Sequence, residues 1–542
     1  MTMKILRTLL LCAATVAGAF VSQGQTTSSV PAEAPPRIKA AASTFAITPI
    51  VGMPSGHTRF GMTVHRVFSD LKSTIVLLQD CDKKLVIFTS ALSVEGEPLY
   101  EAARHTIADV LKMSPDDVIV NSAHNHSVPA IDVRDAALPP QLKEAREARM
   151  AARRARADNN DRPENQRRTP NPQSIALGKE WVAKLRAAAE SLPAQLVPVT
   201  VKWSIGHEDR VTYNRRTRRP GTDSAMLFVR EEDRAHLPEN YKGMIDTDAT
   251  VVVFDGAKGP VAALGWYTGH PVTVYNPEDP TSFGEWPQVA CDRLSAHLGG
   301  IPVGFVQGCA GDINSKYMFS GTLEQATQLG NYLGDAFIEA TKTLQTSKRA
   351  GFQLRRQMVD LPLRDLPSRE SLERDIASMD DFIKRGEAGD EDTYACVGMN
   401  FPKGLTPKYR ATLVKEVYPW YVWALDQYKN GNENKIARTF PIEVVVARFG
   451  DVGFVGMPSE TLVRTGLKIK YGADLPCVLP CGYTGVSNGY IPDAFSCYDL
   501  DYVGGNYRYR RQLHAPYGQP GGDAMANAAL ITLNEFARTP QK

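Results

Sequence analysis

The histidine pair His124 and His126 is the sharpest chemical signal in this sequence. It follows the apolar run Asp117 to Ala123, which predicts a strand that ends at the pair. Two histidines at i and i+2 on extended backbone point to the same side. Neutral imidazoles placed in this way can share a metal ion, or one can bind the ion while the other hydrogen-bonds a substrate. An isolated pair of this kind is equally compatible with a structural role.

Other polar residues also follow apolar strands, among them His270, Asp312 and Glu460. In open α/β sheets, ligands collect at the carboxyl ends of strands because the loops there converge on a crevice. His124, His270 and Glu460 together would supply two imidazoles and one carboxylate. Such a set binds zinc and leaves a position for an activated water.

The elements that must position these residues alternate between strands and helices. This alternation predicts an α/β fold. The predicted strands and helices include strands at Thr74 to Leu78, Leu85 to Leu92, Val197 to Ile205, Thr250 to Phe254, Val261 to Tyr267, Val303 to Val306, Ile442 to Arg448 and Val452 to Gly456, and helices at Leu99 to Lys112, Ser174 to Leu192 and Gly522 to Ala537.

The amino-terminal residues have the pattern of an export signal. Lys4 and Arg7 lie around the start of an apolar run from Ile5 to Val21, which is too short for a spanning helix and fits a secretory signal. We therefore expect residues 1–24 to be a signal peptide and residues 25–44, rich in Ser, Thr, Pro and Ala, to be a flexible leader. The folded domain is then 45–542, in a secreted or periplasmic protein without a transmembrane segment.

Composition and charge are those of an ordinary globular protein. The chain has 542 residues, 43% of them hydrophobic, with 62 Lys plus Arg against 60 Asp plus Glu. Removing a signal that carries Lys4 and Arg7 leaves 60 − 60 = 0, so nothing in the overall charge favours nucleic acid as a partner. Seven cysteines remain after Cys12, and Cys477, Cys481 and Cys497 are the best candidates for disulfides in an oxidising compartment.

Two regions interrupt the α/β pattern and are expected to be insertions, at about 138–175 and 361–437. The first is basic, with a helical half from Gln141 to Ala157. The second predicts two long helices, Ser368 to Lys384 and Lys408 to Lys429. The aromatic residues on the latter helix are more typical of core packing than of a ligand platform.

The order of motifs along the chain resembles that of the neutral, non-lysosomal ceramidase family. The resemblance spans Phe45 to Phe536, and the motifs that carry it are His124-Asn125-His126-Ser127, Asn214-Arg215, His270-Pro271-Val272, Gly311-Asp312, Pro458-Ser459-Glu460 and Gly489-Tyr490-Ile491-Pro492. It implies a ceramidase-like catalytic domain of layered mixed β-sheets flanked by helices, without the immunoglobulin-like carboxyl domain of that family.

The resemblance also implies roles for individual residues. The zinc ligands would be His124, His270, Glu460 and Tyr490. The remaining site residues would be His126 and Arg215, which resemble the groups that bind the scissile amide and its oxyanion, and a second tyrosine, Tyr502 or, if local gaps shift the alignment, Tyr498.

The function that follows is zinc-dependent hydrolysis of an amide bond, as in N-acyl sphingosine. Asp312 would orient a ligand or a loop, or simply form a turn. Two clusters of arginine, at 215–219 and 508–511, favour an anionic saccharide instead, cleaved by a zinc-dependent hydrolase or lyase. A third possibility is an exported binding protein on the same fold. The sequence therefore predicts a small-molecule, lipid or glycan substrate and leaves the oligomeric state open.

Overall fold

Strands and helices alternate along most of the chain, as the sequence predicts. The computed structural model describes residues 38–57, 62–144, 147, 171–218, 225–226, 241–276, 279–318, 321–401, 405–509 and 513–539. The strands are β1 (Ile38–Ile47), β2 (Arg66–Val67), β3 (Leu71–Asp80), β4 (Lys83–Ser90), β5 (Val118–Ser122), β6 (Val197–His207), β7 (Thr212–Asn214), β8 (Thr217–Arg218), β9 (Ala225–Met226), β10 (Asp248–Gly256), β11 (Gly259–Tyr267), β12 (Thr281–Ser282), β13 (Val303–Gln307), β14 (Ile313–Ser315), β15 (Gln345–Thr346), β16 (Phe352–Pro362), β17 (Ala395–Cys396), β18 (Met399–Asn400), β19 (Thr439–Phe449), β20 (Val452–Gly456), β21 (Glu460–Thr461), β22 (Cys477–Cys481) and β23 (Tyr490–Ile491). The helices are α1 (Glu97–Leu111), α2 (Pro172–Ser191), α3 (Glu285–His297), α4 (Leu323–Thr341), α5 (Arg369–Glu387), α6 (Pro407–Lys429), α7 (Val463–Gly472) and α8 (Asp523–Arg538), with short 3-10 turns at Pro115–Asp117, Pro193–Gln195 and Asn506–Tyr509.

Two mixed sheets form the centre of the fold. The larger has the strand order β13-β11-β10-β6-β1-β3-β4-β5, with β15 also paired to β6. The smaller has the order β16-β19-β20-β22. Most neighbours are antiparallel, but β4 with β5, β11 with β13, and β20 with β22 are parallel. Each parallel pair directs two strand ends to the same edge of its sheet.

The sheets and helices are arranged in layers. Buried residues of the two sheets, such as Phe254 and Phe449, share one hydrophobic cluster. On the outer face of the larger sheet, α1 and α2 cover one half and α3 and α4 the other. On the smaller sheet, α6 and α8 pack against β19 and β20. This arrangement confirms the predicted α/β class of layered mixed sheets flanked by helices.

The expected insertion at 361–437 contains the two predicted helices. They span α5 and α6, within a few residues of the predicted ends. Trp420 and Tyr421 are buried in the cluster that α5 and α6 share with the smaller sheet, so the aromatic run packs in the core as predicted. Of the basic region at 138–175, the structure describes only both ends, where Leu142 is buried and Asn171 caps α2. Most of its expected helix, Gln141 to Ala157, lies outside the described residues.

The first strand begins earlier than the sequence analysis places the start of the fold. The expected signal peptide at 1–24 and the expected leader up to residue 37 lie outside the described residues. Residues 38–44, however, belong to β1, where Ala40 and Ala41 are fully buried and β3 pairs along the whole strand. The predicted boundary at residue 44 is therefore too late. The small residues of this segment resemble a linker in composition, but in the structure they fit between packed layers.

The expected disulfides are absent from the described part of the chain, in which all seven cysteines after Cys12 are free thiols. Cys477 and Cys481 lie on the same strand, β22, and Cys497 is buried elsewhere. Burial raises the pKa of each of these three thiols. None of the described helices combines the length and apolar composition needed to cross a lipid bilayer.

Candidate active site

The ends of several strands from both sheets meet at one place. β5, β11, β13, β20 and β22 all end there, and their following loops carry the candidate residues. The buried side chain of Asn121 ties these ends together, because its amide donates hydrogen bonds to Gln307 O, Gly482 O and Thr484 Oγ1. Backbone pairing of Gly308 with Cys481 joins the two sheets at the same point.

His124 and His126 face each other across this meeting point, although not for the predicted reason. β5 ends at Ser122, and His124 has a φ of 59°, so the backbone is not extended there. The prediction that the two side chains share a face because they lie on extended backbone is therefore wrong. The two Nε2 atoms nevertheless lie 3.2 Å apart, and both rings sit in the same cluster.

His270 and Glu460 complete the cluster. Glu460 Oε2 lies 3.0 Å from His270 Nε2 and 3.3 Å from His124 Nε2. All three side chains are buried. Residues separated by up to 336 positions (460 − 124) therefore converge on one point, as the sequence analysis expects of strand ends.

The outer nitrogens of two of these histidines are held by acceptors. His124 Nδ1 lies 2.5 Å from Glu95 Oε1, and Ser122 Oγ donates to the other oxygen of Glu95. His270 Nδ1 lies 3.1 Å from the carbonyl oxygen of Ile313. A proton on each Nδ1 leaves the Nε2 lone pairs free to point at the cluster, which is the arrangement that metal-binding histidines need.

Burial and the neighbouring charges shift the pKa values of the clustered groups in different directions. Burial lowers the pKa of His124, but Glu460 and Glu95 outweigh burial and raise it to about 10. Burial raises the pKa of Glu460, but His124 and His270 bring it well below its ordinary value. Burial, partly offset by Glu460, lowers the pKa of His270 to about 4. Burial and the neighbouring histidines lower the pKa of His126 well below its ordinary value.

The donor atoms also have the spacing that a metal ion requires. Ligand atoms of His124, His126 and His270 lie within 4.8 Å of one another and form a possible metal site. Tetrahedral zinc with bonds of about 2.0 to 2.1 Å places its donor atoms about 3.3 Å apart. The three contacts of 3.0, 3.2 and 3.3 Å among these histidines and Glu460 are close to that value. The residues present therefore fit a zinc ion.

Tyr490 and Arg215 lie beside Glu460. Glu460 and Tyr490 are direct partners in the parallel pair of β21 and β23, and burial together with Glu460 raises the pKa of the Tyr490 phenol well above its ordinary value. Arg215 Nη2 donates to Tyr490 OH at 2.6 Å and to Gly311 O at 2.7 Å. Arg215 Nε is buried and has no hydrogen-bond partner among the described residues. One guanidinium donor at the site is thus not used by the described part of the chain.

The structure separates the two candidates for a second tyrosine. The Tyr502 ring packs edge-on against Tyr490 with centroids 5.3 Å apart. The Tyr498 side chain is 62% exposed and contacts the Arg364 guanidinium instead. Tyr502 is therefore the one that adjoins the site.

Asp312 has the orienting contacts that one of its two predicted roles requires. Its carboxylate accepts hydrogen bonds from Val463 N at 2.8 Å and from Asn214 Nδ2 at 3.1 Å. Its carbonyl oxygen accepts from Arg215 N. Burial raises its pKa. Asp312 thus joins the loop of Arg215 to the segment that follows Glu460.

Two arginines of the predicted clusters, Arg216 and Arg508, form hydrogen bonds with other groups of the protein. Arg216 donates to Asp499, Asp501 and Ser496. Arg508 is buried and donates to three carbonyl oxygens and to Tyr421. The side chains of the other four arginines of these clusters lie outside the described residues. Arg216 and Arg508 therefore give no support to an anionic substrate, whereas Arg215, the third described arginine of these clusters, lies beside Tyr490.

Sequence reasoning missed three residues of the site. Glu95 follows β4, so the rule that located His270 and Glu460 would have found it too. Tyr483 follows β22, which is not among the strands that the sequence predicts. Tyr483 stacks on His124 with centroids 4.4 Å apart. His57 stacks on His126 at 4.3 Å and bonds Ser93. No strand end precedes His57, so no comparable signal exists for it.

Comparisons with known proteins support this fold. No family model and no curated protein sequence matches the chain. A crystal structure of neutral ceramidase from Pseudomonas aeruginosa aligns with a TM-score of 0.58 and 14% identity, over 94% of this chain and 76% of that one. A structure described as ceramidase complexed with C2 aligns with a TM-score of 0.57 and 15% identity, over 93% and 75%. The chain therefore has a ceramidase-like fold.

Proposed function

We propose that this chain is an exported, zinc-dependent amidohydrolase of the neutral ceramidase type. One observation carries the proposal: Nε2 atoms of three histidines and Oε2 of Glu460 converge with contacts of 3.0 to 3.3 Å. The ceramidase-like fold supports the same class of reaction. Export would use the signal at residues 1–24.

The metal would be held by His124, His270, Glu460 and Tyr490, with His126 beside them. A zinc ion in this place supplies Lewis acidity that polarises a carbonyl group and acidifies water. Glu95 holds the proton on His124 Nδ1, and Ile313 O does the same for His270. These contacts fix the rings so that both Nε2 atoms face the position of the metal.

Arg215 and His126 would bind the reacting amide. Arg215 stays charged, because Tyr490 and Glu460 outweigh the effect of burial and raise its pKa. Its unpartnered Nε proton can donate to the oxygen that gains negative charge in the tetrahedral transition state. His126 stays neutral at pH 7, so its imidazole can hydrogen-bond the amide. Tyr502, packed on Tyr490, would border the bound substrate.

The test combines metal analysis with product analysis. Purified wild-type protein and His124→Ala are measured for zinc content and incubated with short- and long-chain N-acyl sphingosines in ¹⁸O-labelled water. We expect stoichiometric zinc and a labelled fatty acid from the wild type, and neither from His124→Ala. Acidic oligosaccharides form a second arm. An unsaturated, ultraviolet-absorbing product from them, or turnover of neither class by zinc-loaded protein, would contradict the proposal.

A further inference from the structure

Glu285, the first residue of α3, contacts both loops that carry the histidines. Its Oε1 accepts a hydrogen bond from Val274 N at 2.8 Å, four residues after His270. The same oxygen lies 3.4 Å from Ser127 Oγ, directly after His126. A single carboxyl oxygen thus joins the two loops.

The residues just before Glu285 add further hydrogen bonds to the loop that carries His124 and His126. Phe283 N donates to Ser127 O at 3.0 Å, and Asn125 Nδ2 donates to Phe283 O at 2.7 Å. The start of α3 is therefore fixed to segment 125–127. The hydrogen bond from Val274 then fixes the loop of His270 relative to that segment.

Glu285 occupies its position at an energetic cost. Its side chain is fully buried, Oε2 has no hydrogen-bond partner among the described residues, and the backbone has a φ of 54°, which L-residues rarely adopt. Buried polar groups are normally satisfied, and strained residues tend to occur at functional sites. Burial also raises the pKa of Glu285 to about 7. A residue with only a packing role would have no need of this carboxyl group.

We infer that Glu285 is a positioning residue that sets the spacing between the His124–His126 loop and the His270 loop, and thereby the affinity of the site for its metal ion. The inference rests on the proposed function, because it concerns the same metal centre. Glu285 contacts none of the four proposed ligands in the described contacts, so it acts through Ser127 and Val274.

The experiment measures zinc affinity directly, by competition with a chromophoric chelator. The variants are Glu285→Leu, which removes the acceptor at similar volume, and Glu285→Gln, which keeps an acceptor oxygen without the charge. Glu208→Ala serves as the control, because Glu208 is also a buried carboxylate but pairs with Arg210. Groups that orient metal ligands through one further contact typically change metal affinity by about 10- to 100-fold.

We expect about 10- to 100-fold weaker zinc binding in Glu285→Leu, affinity within about threefold of wild type in Glu285→Gln, and unchanged affinity in Glu208→Ala. Wild-type affinity in Glu285→Leu would overturn the inference. Equal weakening in Glu285→Gln and Glu285→Leu would also overturn it, because charge rather than spacing would then be responsible. If Glu285→Leu does not fold, Glu285→Ala replaces it with the same two outcomes.

The result is separable from that of the proposed function. Wild-type protein that binds zinc but hydrolyses no amide would contradict the proposed function, and the affinity of the variants would still test Glu285. An active amidase in which Glu285→Leu keeps full zinc affinity would contradict only the role of Glu285.

Discussion

Two buried arginines differ in how many of their hydrogen-bond donors have a partner. One lies in the helical region of α5 and α6, and the other lies at the candidate site. Arg410 on α6 donates from Nε to Leu405 O, from Nη1 to the carbonyls of Glu391 and Thr393, and from Nη2 to the Glu391 carboxylate. Arg215 donates only from Nη2 in the described contacts, and its buried Nε has no partner. Arg410 is fully bonded by described residues, whereas Arg215 has a donor with no partner among them.

Three residues at the site also have a strained backbone conformation. His124, Glu285 and Tyr483 have positive φ values of 59°, 54° and 52°, and all three lie at or next to the cluster. Val397, between α5 and α6, has a positive φ of 44° as well, so this kind of strain is not confined to the site. Strain of this kind persists only where the surroundings enforce it. The contacts around the cluster therefore hold its three strained residues in place.

Replacing Arg215 should produce the largest effect. Arg215→Met removes the unused donor while retaining much of the side-chain volume, and we expect kcat for N-acyl sphingosine hydrolysis to fall by about 10²- to 10³-fold. Zinc content, measured by mass spectrometry, should not change. A loss below about threefold would show that the unpartnered Nε is not used.

Glu285 should make stability depend on pH. Its folded pKa, about 7, is raised above the ordinary value of 4.5, so the folded state holds the proton more tightly than the unfolded chain. The corresponding stability is fully present below pH 4.5 and is lost as pH rises through about 7. Glu285→Gln lacks this pH dependence. The difference in free energy of unfolding between wild type and Glu285→Gln should therefore change by up to about 3 kcal/mol across this pH range.

Urea unfolding of the metal-free proteins at about pH 5 and about pH 8 measures that difference. Glu208→Gln gives the background for a buried amide. A difference between wild type and Glu285→Gln that stays constant across this range would contradict the raised pKa.

Replacing Arg410 should change stability alone. Arg410→Met leaves three carbonyl oxygens without their donor, and we expect the free energy of unfolding to fall by about 2 kcal/mol. The kcat of the folded enzyme should remain that of wild type. Reduced kcat with unchanged stability would abolish the distinction between the two arginines.

Glu95 should have the smallest effect of the four. Glu95→Gln keeps an acceptor for His124 Nδ1 but removes the negative charge, and zinc affinity should fall by about tenfold. Glu391→Gln makes the matching change beside Arg410 and should leave zinc affinity unaltered. Similar affinities in the two variants would mean that Glu95 does not support the metal ligand.

Much of the site can be predicted because strand ends are visible in the sequence. Apolar runs locate the ends of β5, β11 and β20, and His124, His270 and Glu460 follow within a few residues of them. Tyr490 lies beside Glu460 because β21 and β23 pair over two residues. So short a pair has no periodicity, and only the family resemblance indicated Tyr490.

Other features depend on long-range packing that no local pattern records. His57 reaches His126 only because its segment folds over the site, where Tyr275 OH donates to His57 O. The start of β1 was missed because buried alanines between sheet layers resemble a linker in composition. The positive φ of His124 is likewise imposed by its surroundings.

Crystals of the protein soaked with zinc and measured at the zinc absorption edge give the most direct test of the metal centre. We predict one strong anomalous peak about 2.0 to 2.2 Å from His124 Nε2, His270 Nε2 and the Glu460 carboxylate. The absence of a peak among these atoms, or a zinc ion bound elsewhere by other side chains, would contradict the account.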